Sequence, residues 1–574
     1  VCCSKMKMTR AFVVALLVLC GHADATSVFH PQAFARDALR SLKRTHSYQA
    51  LATSLDRLGC KLGGKNHQLQ DFSLSSRGGL VSDSADDSVE TLFSNVSPTA
   101  QASQNEKLQI PDLELDADNY DDAAEYDKEN VWHHMVDQKT GNSALMIVRG
   151  SGLRVWDVKG REYLDAVSGG TWTVNVGYGR SEIADAVRDQ LVKLNFFHQS
   201  AANVPAARFA QRLISKMPGM SRVYYSSSGS EANEKAFKMV RLIAHRKYGG
   251  NKWKILFRER DYHGTTITAL SATGQEQRRH QFGPFTPGFV EVPHNCEYRS
   301  QFGNVEDYGI RSANEIEKTI LAEGPETVGA ICLESITAGG GAIMPPLGYW
   351  RRVQEICREY NVLLLLDEVV MGLGRTGKWF GYQHFDVKPD IVTMAKGLAS
   401  GYAAISCTVT TNEVFEMCHQ KCESDEGVDL GYFRDISTFG ACTAGPTAAL
   451  ANMQIIENER LIENSANVGA YLQESLHQLE HKHKIIGQVR GLGLFAGIEL
   501  VKNRQTKEPV DETELARICA DVMSQGVMIG RTNRSFQKLN NTILLAPALV
   551  ATKADIDAIT RAIDVALTRH KLQE

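Results

Sequence analysis

The chain has 574 residues, 43% hydrophobic and 23% charged, which fits a globular protein with a real core and a length for two or three domains. Lys plus Arg number 63 against 67 Asp plus Glu, a net charge of −4 that leaves no basic footprint for nucleic acid. The longest apolar run, Ala11–Cys20, is about half of what a membrane-spanning helix needs, so no stable span is expected. Twelve Cys occur without a CxxC pair. No metal site is expected, and Cys296, Cys332, Cys357, Cys407, Cys442 and Cys519 are expected as buried free thiols.

Lys5, Lys7 and Arg10 precede the apolar run and Ala23-Asp24-Ala25 follows it, a signal-peptide pattern over residues 1–25. Residues 26–80 hold eight Lys or Arg against three acids, a transit-like composition. Residues 81–130 invert it, with fourteen acids and two bases, and are expected to form a disordered acidic linker. This leader over 1–130 predicts routing to an organelle, plastid or mitochondrion; the alternative is the secretory pathway, where sequons at Asn95, Asn533 and Asn540 would be glycosylated.

From Trp132 the pattern is compact. Leu153–Val158, a Lys159-Gly160 turn and Glu162–Val167 read as a hairpin. Ser181 is the expected N-cap of a helix with Ile183, Val187, Leu191 and Leu194 on one stripe. Apolar runs at Arg222–Tyr225, Val328–Leu333, Val362–Leu366 and Asp390–Met394 then alternate with amphipathic helices. Such runs predict an α/β fold around a parallel sheet covered on both faces, with chemistry just beyond the carboxyl ends of the strands. The expected division is a smaller α+β domain from residues 131–180 and 466–574, and a large domain over 181–465.

After Arg222–Tyr225 comes Ser226-Ser227-Ser228-Gly229-Ser230-Glu231, opening a helix with Ala236, Phe237, Val240 and Ile243 on one face. Small hydroxyl residues at a helix N-terminus present free N–H groups to an anion, usually phosphate. Glu334 follows the second run, Asp367 the third, and Lys396 the fourth. A Lys there is costly to bury unless paired or reacted, and reads as an imine-forming lysine with a lowered pKa. A phosphate cradle, an acid for a ring nitrogen and an imine lysine jointly match what pyridoxal 5'-phosphate asks of a protein.

The motifs Trp132-His133-His134-Met135, Trp172 with Asn175-Val176-Gly177-Tyr178-Gly179, Gly229-Ser230-Glu231-Ala232, Tyr262-His263-Gly264, Asp367-Glu368-Val369, Gly374-Arg375-Thr376-Gly377 and Ala395-Lys396-Gly397 occur in this order. Over residues 131–574 the chain resembles the class III (omega) aminotransferases of pyridoxal-phosphate fold type I. The resemblance implies a large domain with a mostly parallel seven-stranded-type sheet. It also implies that Lys396 forms the imine with the cofactor, that Asp367 pairs with the ring nitrogen, and that Tyr262 and Val369 flank the ring. Ser228, Gly229 and Ser230 would hold the phosphate, with Thr438 reaching it from a neighbouring subunit of a homodimer with shared sites. His263 and Glu334 complete the implied cofactor set, and Trp172 is placed beside the substrate.

Departures from the family pattern refine this reading. Pro446 follows Thr438 by eight residues where the family usually has five, which makes Thr443 a rival at the phosphate. Glu334 is followed by Ser335 where the family usually has Pro. Gly339 stands where ornithine- and 4-aminobutyrate-type enzymes carry a gating Glu, so this part resembles the pyruvate-using branch. In Gly526–Ser535, Arg531 and Arg534 are rival anchors for the donor's acid group, since an arginine fork suits a carboxylate or sulfonate. This stretch and Tyr432–Gly440 resemble the taurine–pyruvate branch most. The expected reaction is transfer of a terminal amino group from an omega-amino acid, taurine favoured, to a keto acid such as pyruvate by a ping-pong mechanism. The alternatives are β-alanine or 4-aminobutyrate as donor, an aminomutase, and a non-catalytic relative. Gly491-Leu492-Gly493 mimics a dinucleotide turn but runs into a strand pattern where that motif requires a helix.

Overall fold

The computed structural model describes residues 120–135, 137–140, 144–421, 430–532 and 541–570. The signal and transit-like segments, most of the acidic stretch, the three sequons and Arg534 lie outside the described residues. One expectation fails at the edge of the acidic stretch, because Tyr120–Asn130 is an α-helix rather than disordered linker. It lacks Gly and Pro, and Asp122 near its start complements the helix dipole.

Strands β1 (Ile147–Ser151), β2 (Arg154–Asp157) and β3 (Glu162–Asp165) form an antiparallel meander. The expected Lys159-Gly160 turn joins β2 to β3, with Gly160 at φ 72°. The following helix is Ser181–Lys193, and Arg180, not Ser181, is its N-cap. The Arg180 N–H is taken by the Tyr402 hydroxyl at 2.7 Å, and its guanidinium grips Val176 O and Glu459. That tertiary anchoring overrides the local capping signal. The expected stripe is also only partly covered in the single chain: Ile183 is buried and Val187 half-buried, whereas Leu191 and Leu194 are exposed.

The large sheet contains β4 (Met220–Ser226), β5 (Lys254–Arg258), β6 (Phe289–Val292), β7 (Val328–Glu334), β8 (Leu363–Asp367), β9 (Ile391–Met394) and β10 (Ser406–Thr411). Its order is β4-β10-β9-β8-β7-β5-β6. The five strands from β9 to β6 are mutually parallel, and every residue of β7 is buried. β10 runs antiparallel to both neighbours, because no crossover helix of useful length separates it from β9.

The C-terminal part adds β11 (Ile486–Leu492), β12 (Phe495–Asn503), β13 (Glu508–Pro509), β14 (Val527–Met528), β15 (Gly530–Thr532) and β16 (Asn541–Leu545). β14 pairs in parallel with β3, so the two chain ends share a sheet. The Gly491–Gly493 turn is the tip of the β11–β12 hairpin, which removes the dinucleotide reading. Arg375 welds these parts together. Fully buried, it donates to Asn175 Oδ1 (2.8 Å), Ser168 Oγ (3.2 Å), Leu494 O (3.2 Å) and Pro547 O. Cys296, Cys332, Cys357 and Cys407 are buried thiols as expected; Cys442 and Cys519 are only half-buried. Among the described residues no helix is long and apolar enough to cross a membrane.

Candidate active site

Sheet order places the chemistry. Neighbouring parallel strands β9, β8, β7 and β5 end side by side, and their C-terminal residues lead to Lys396, Asp367, Glu334 and the Asp261-Tyr262-His263 turn. Register fixes this further, since Glu334 pairs with Asp367 and Asp367 with Thr393.

Asp367 is buried, and among the described residues N–H donors meet it. Asn233 Nδ2 and His263 Nδ1 reach Oδ2 at 2.8 and 2.9 Å, and the Val369 N–H reaches Oδ1 at 3.0 Å. His263 is also buried, and its Nε2 has no hydrogen-bond partner among the described residues. Glu334 accepts the N–H groups of Tyr262 and Ala338, each at 2.9 Å. Burial, reinforced by the nearby Asp261 and Asp367 carboxylates, pushes its carboxyl well up, against the pull of those two N–H groups. Glu368 accepts from Gly381 N (2.7 Å) and Tyr382 N (3.1 Å), and burial pushes its carboxyl up to about 7.

The Lys396 ammonium lies 5.1 Å from the centroid of the Trp172 ring. Burial pushes its pKa down to about 8, opposed by Asp367 and Glu334 and assisted by Arg278. Lys396 (φ 41°) and Trp172 (φ 61°) both hold left-handed backbone, strain of about 1–3 kcal/mol each of the kind that collects at functional sites. Trp172 packs edge-on against Phe495, and its Nε1 is buried without a hydrogen-bond partner among the described residues.

The Gly229–Tyr248 helix starts with Ser228 as N-cap, its Oγ accepting the Glu231 N–H at 3.3 Å. A Cβ on Gly229 would stand 3.1 Å from a Val369 methyl, so the glycine keeps the helix start close to the strand that carries Asp367. Ser230 Oγ accepts the Thr265 N–H at 3.1 Å, and the Arg278 guanidinium lies 4.7 Å from the Tyr262 ring centroid.

Of the rival threonines, Thr443 is fully buried and its hydroxyl donates to Leu194 O of its own chain at 2.5 Å. Thr438 is exposed on a segment that also exposes Tyr432, Ile436 and Phe439. Arg531 is not brought into the site. It is exposed and pairs with Ile543, on the face of the strands opposite the buried Thr532, whose hydroxyl reaches Gly339 O. Strand alternation sends neighbouring side chains to opposite faces, so Arg531 points away from the Trp172 side.

Sequence reading missed the support. Asn233 holds Asp367, donates to His263 O at 2.8 Å, and accepts the Thr393 hydroxyl at 2.8 Å. The fully buried Arg258–Asp261 pair places the 261–263 turn, with Asp261 Oδ2 accepting the Glu334 N–H at 2.9 Å. Asn233 had a signal: it shares the helix face of Ala236, Phe237 and Val240, where a polar residue needs a partner.

A family model described as aminotransferase class-III matches residues 135–567. The chain is a class-III aminotransferase. The hypotaurine/taurine–pyruvate aminotransferase of Paracoccus denitrificans is 59% identical over 459 residues, covering 80% of this chain and 99% of that protein. The taurine–pyruvate aminotransferase of Bilophila wadsworthia is 57% identical over 442 residues, 77% of this chain and 96% of its own length. The solved structure of a Bacillus anthracis aminotransferase matches with a TM-score of 0.74 at 38% identity, covering 79% of this chain and 100% of that one.

Class-III aminotransferases are enzymes that use pyridoxal phosphate. The residues present fit that group. An amine with a lowered pKa, a buried carboxylate held by N–H donors, and a helix start that a Cβ at Gly229 would crowd are the features it requires. When bound, the cofactor supplies an electron sink for the transferred proton's carbon.

Proposed function

We propose that this class-III aminotransferase takes the amino group of taurine and passes it to pyruvate in two half-reactions. The observation that carries this reading is the 57–59% identity to taurine–pyruvate aminotransferases over 96–99% of their lengths. Gly339 at the edge of the site, in place of a gating carboxylate, agrees with it.

Lys396 is proposed to hold the cofactor and then to shuttle the proton at its carbon, a general-base role worth about 10²–10⁴ in rate. Asp367, positioned by Asn233, His263 and the Val369 N–H, would face the ring nitrogen, while Tyr262 and Val369 would flank the ring and Ser228, Gly229 and Ser230 hold the phosphate. Glu334 fixes the backbone of Tyr262 by accepting its N–H. Trp172 bounds the substrate side beside the Lys396 amine. The acid-group anchor is proposed to be Arg534, since Arg531 is directed away from the site.

A homodimer is the proposed unit, with Thr438 completing the partner's phosphate site. The exposure of Thr438, the use of the Thr443 hydroxyl within its own chain, and the exposed Leu191, Val192 and Phe197 support that reading. The leader is proposed to route the enzyme to an organelle, which a fluorescent fusion of residues 1–130 would test by where it accumulates.

The enzyme incubated with taurine and pyruvate should form alanine and the aldehyde of taurine in equal amounts, and Lys396→Ala should form neither. Alanine from β-alanine or 4-aminobutyrate but not from taurine would overturn the donor assignment. Full activity in Lys396→Ala would overturn the site.

A further inference from the structure

The loop Ala338–Ala342 leaves β7 and returns through a two-way backbone pair between Thr337 and Ile343, at 3.1 and 2.9 Å. Between Ile331 and Ile343 only Gly339 is not fully buried. It faces the site: a Cβ there would stand 3.7 Å from the Trp172 ring and 3.2 Å from Gln275 Nε2. Gly339 thus extends the Trp172 ring into one continuous wall beside the Lys396 amine.

That wall is held from behind. Thr532 Oγ1 donates to Gly339 O at 2.5 Å, Arg260 Nη1 makes a long 3.5 Å contact to Gly340 O, and Arg490 Nε donates to Gly341 O at 2.8 Å. Arg490 is itself fixed by Glu499 at 2.7 Å, and the Arg260 carbonyl by Gln275 at 3.0 Å. There is no slack behind the loop, since a Cβ on Gly340 would fall 2.4 Å from Arg260 O. Among the described residues Thr532 alone ties the half-buried Gly339, and it does so from β15, an element outside the large sheet.

We propose that Thr532 is a specificity-determining residue. By holding the Gly339 carbonyl it fixes the wall that the glycine and the Trp172 ring form together, and so sets the chain length of the amino donor accepted at Lys396. This rests on the reading of the Trp172 side as the donor site. One methylene in a fitted pocket is worth about 10–200-fold in discrimination, provided the walls cannot yield. Losing one buried hydrogen bond should soften that wall and reduce the discrimination by about three- to tenfold.

The test is the donor half-reaction of the holoenzyme, followed by bleaching of the cofactor absorbance, with taurine and with 3-aminopropanesulfonate, one methylene longer. Thr532→Val should lower the taurine preference about three- to tenfold, through the half-saturating concentration rather than the limiting rate, and Thr532→Ser should restore it. Gly339→Ala, which adds a methyl to the wall in contact with the Trp172 ring, should raise the preference. An unchanged ratio in both Thr532→Val and Gly339→Ala overturns the proposal. If neither sulfonate bleaches the wild-type enzyme, the donor assignment fails instead, and the same variants are compared with β-alanine and 4-aminobutyrate, where the same opposite shifts are required.

Discussion

Asn233 Nδ2 lies 2.8 Å from Oδ2 of Asp367, and its own carbonyl oxygen is fixed by the Thr393 hydroxyl at 2.8 Å. The amide therefore has one orientation, with its donor edge toward the carboxylate. Asn233→Asp would set a second carboxylate against Asp367 and raise the proton affinity of the pair. The expected outcome is a fall in kcat of about tenfold or more, the equivalent of one pKa unit, with cofactor still bound. Steady-state kinetics beside the visible spectrum check it; an unaltered kcat would show that the proton balance at Asp367 does not matter.

The Lys396 amine, pushed down to about 8 by burial, exists in its neutral form over an accessible range. Only the neutral amine can attack the cofactor aldehyde. Uptake of pyridoxal phosphate by the apoenzyme should accelerate from pH 6.5 and flatten above about pH 8, against roughly 10.4 for an ordinary lysine. Stopped-flow absorbance measures this, and a rate still climbing at pH 9.5 would contradict it.

Glu368 behaves in the opposite sense. Its carboxyl is pushed up to about 7 from the usual 4.5, so the folded protein binds this proton more tightly than the unfolded chain. Stability attached to the proton is present at low pH and is lost as pH rises from about 4.5 to about 7. Glu368→Gln removes that loss, so its stability relative to the parent should rise across this window by up to about 3 kcal/mol. Denaturant melts at several pH values test it; a constant difference would contradict it.

Sequence carried the positions of Lys396, Asp367 and Glu334 because each ends a continuous apolar run, and buried parallel strands announce themselves in that way. It did not separate Arg531 from Arg534, since the decision depends on which face of β15 meets Gly339, a register set by pairing with β16. It also missed that Ser181 lies inside its helix, where Arg180 is held by Tyr402 and Glu459, residues more than two hundred positions away. Local signals are reliable where one element decides the outcome, and fail where a distant partner does.

The exposure of Thr438 and the burial of Thr443 lead to a subunit-mixing experiment. Lys396→Ala and Thr438→Ala chains are each expected to be impaired. Unfolded and refolded together, they should regain activity above that of either alone, because one site of the mixed dimer then has both Lys396 and a partner's Thr438. No gain would place Thr438 in its own chain's site or outside any site.

Lys396 and its surrounding carboxylates are proposed to run an amine-to-ketone exchange that begins with taurine. The measurement that decides it is the visible spectrum of the holoenzyme before and after taurine is added without any keto acid. The band of the bound cofactor should bleach with taurine and return on adding pyruvate. A band that taurine leaves unchanged, while β-alanine or 4-aminobutyrate bleaches it, would exclude taurine as the donor.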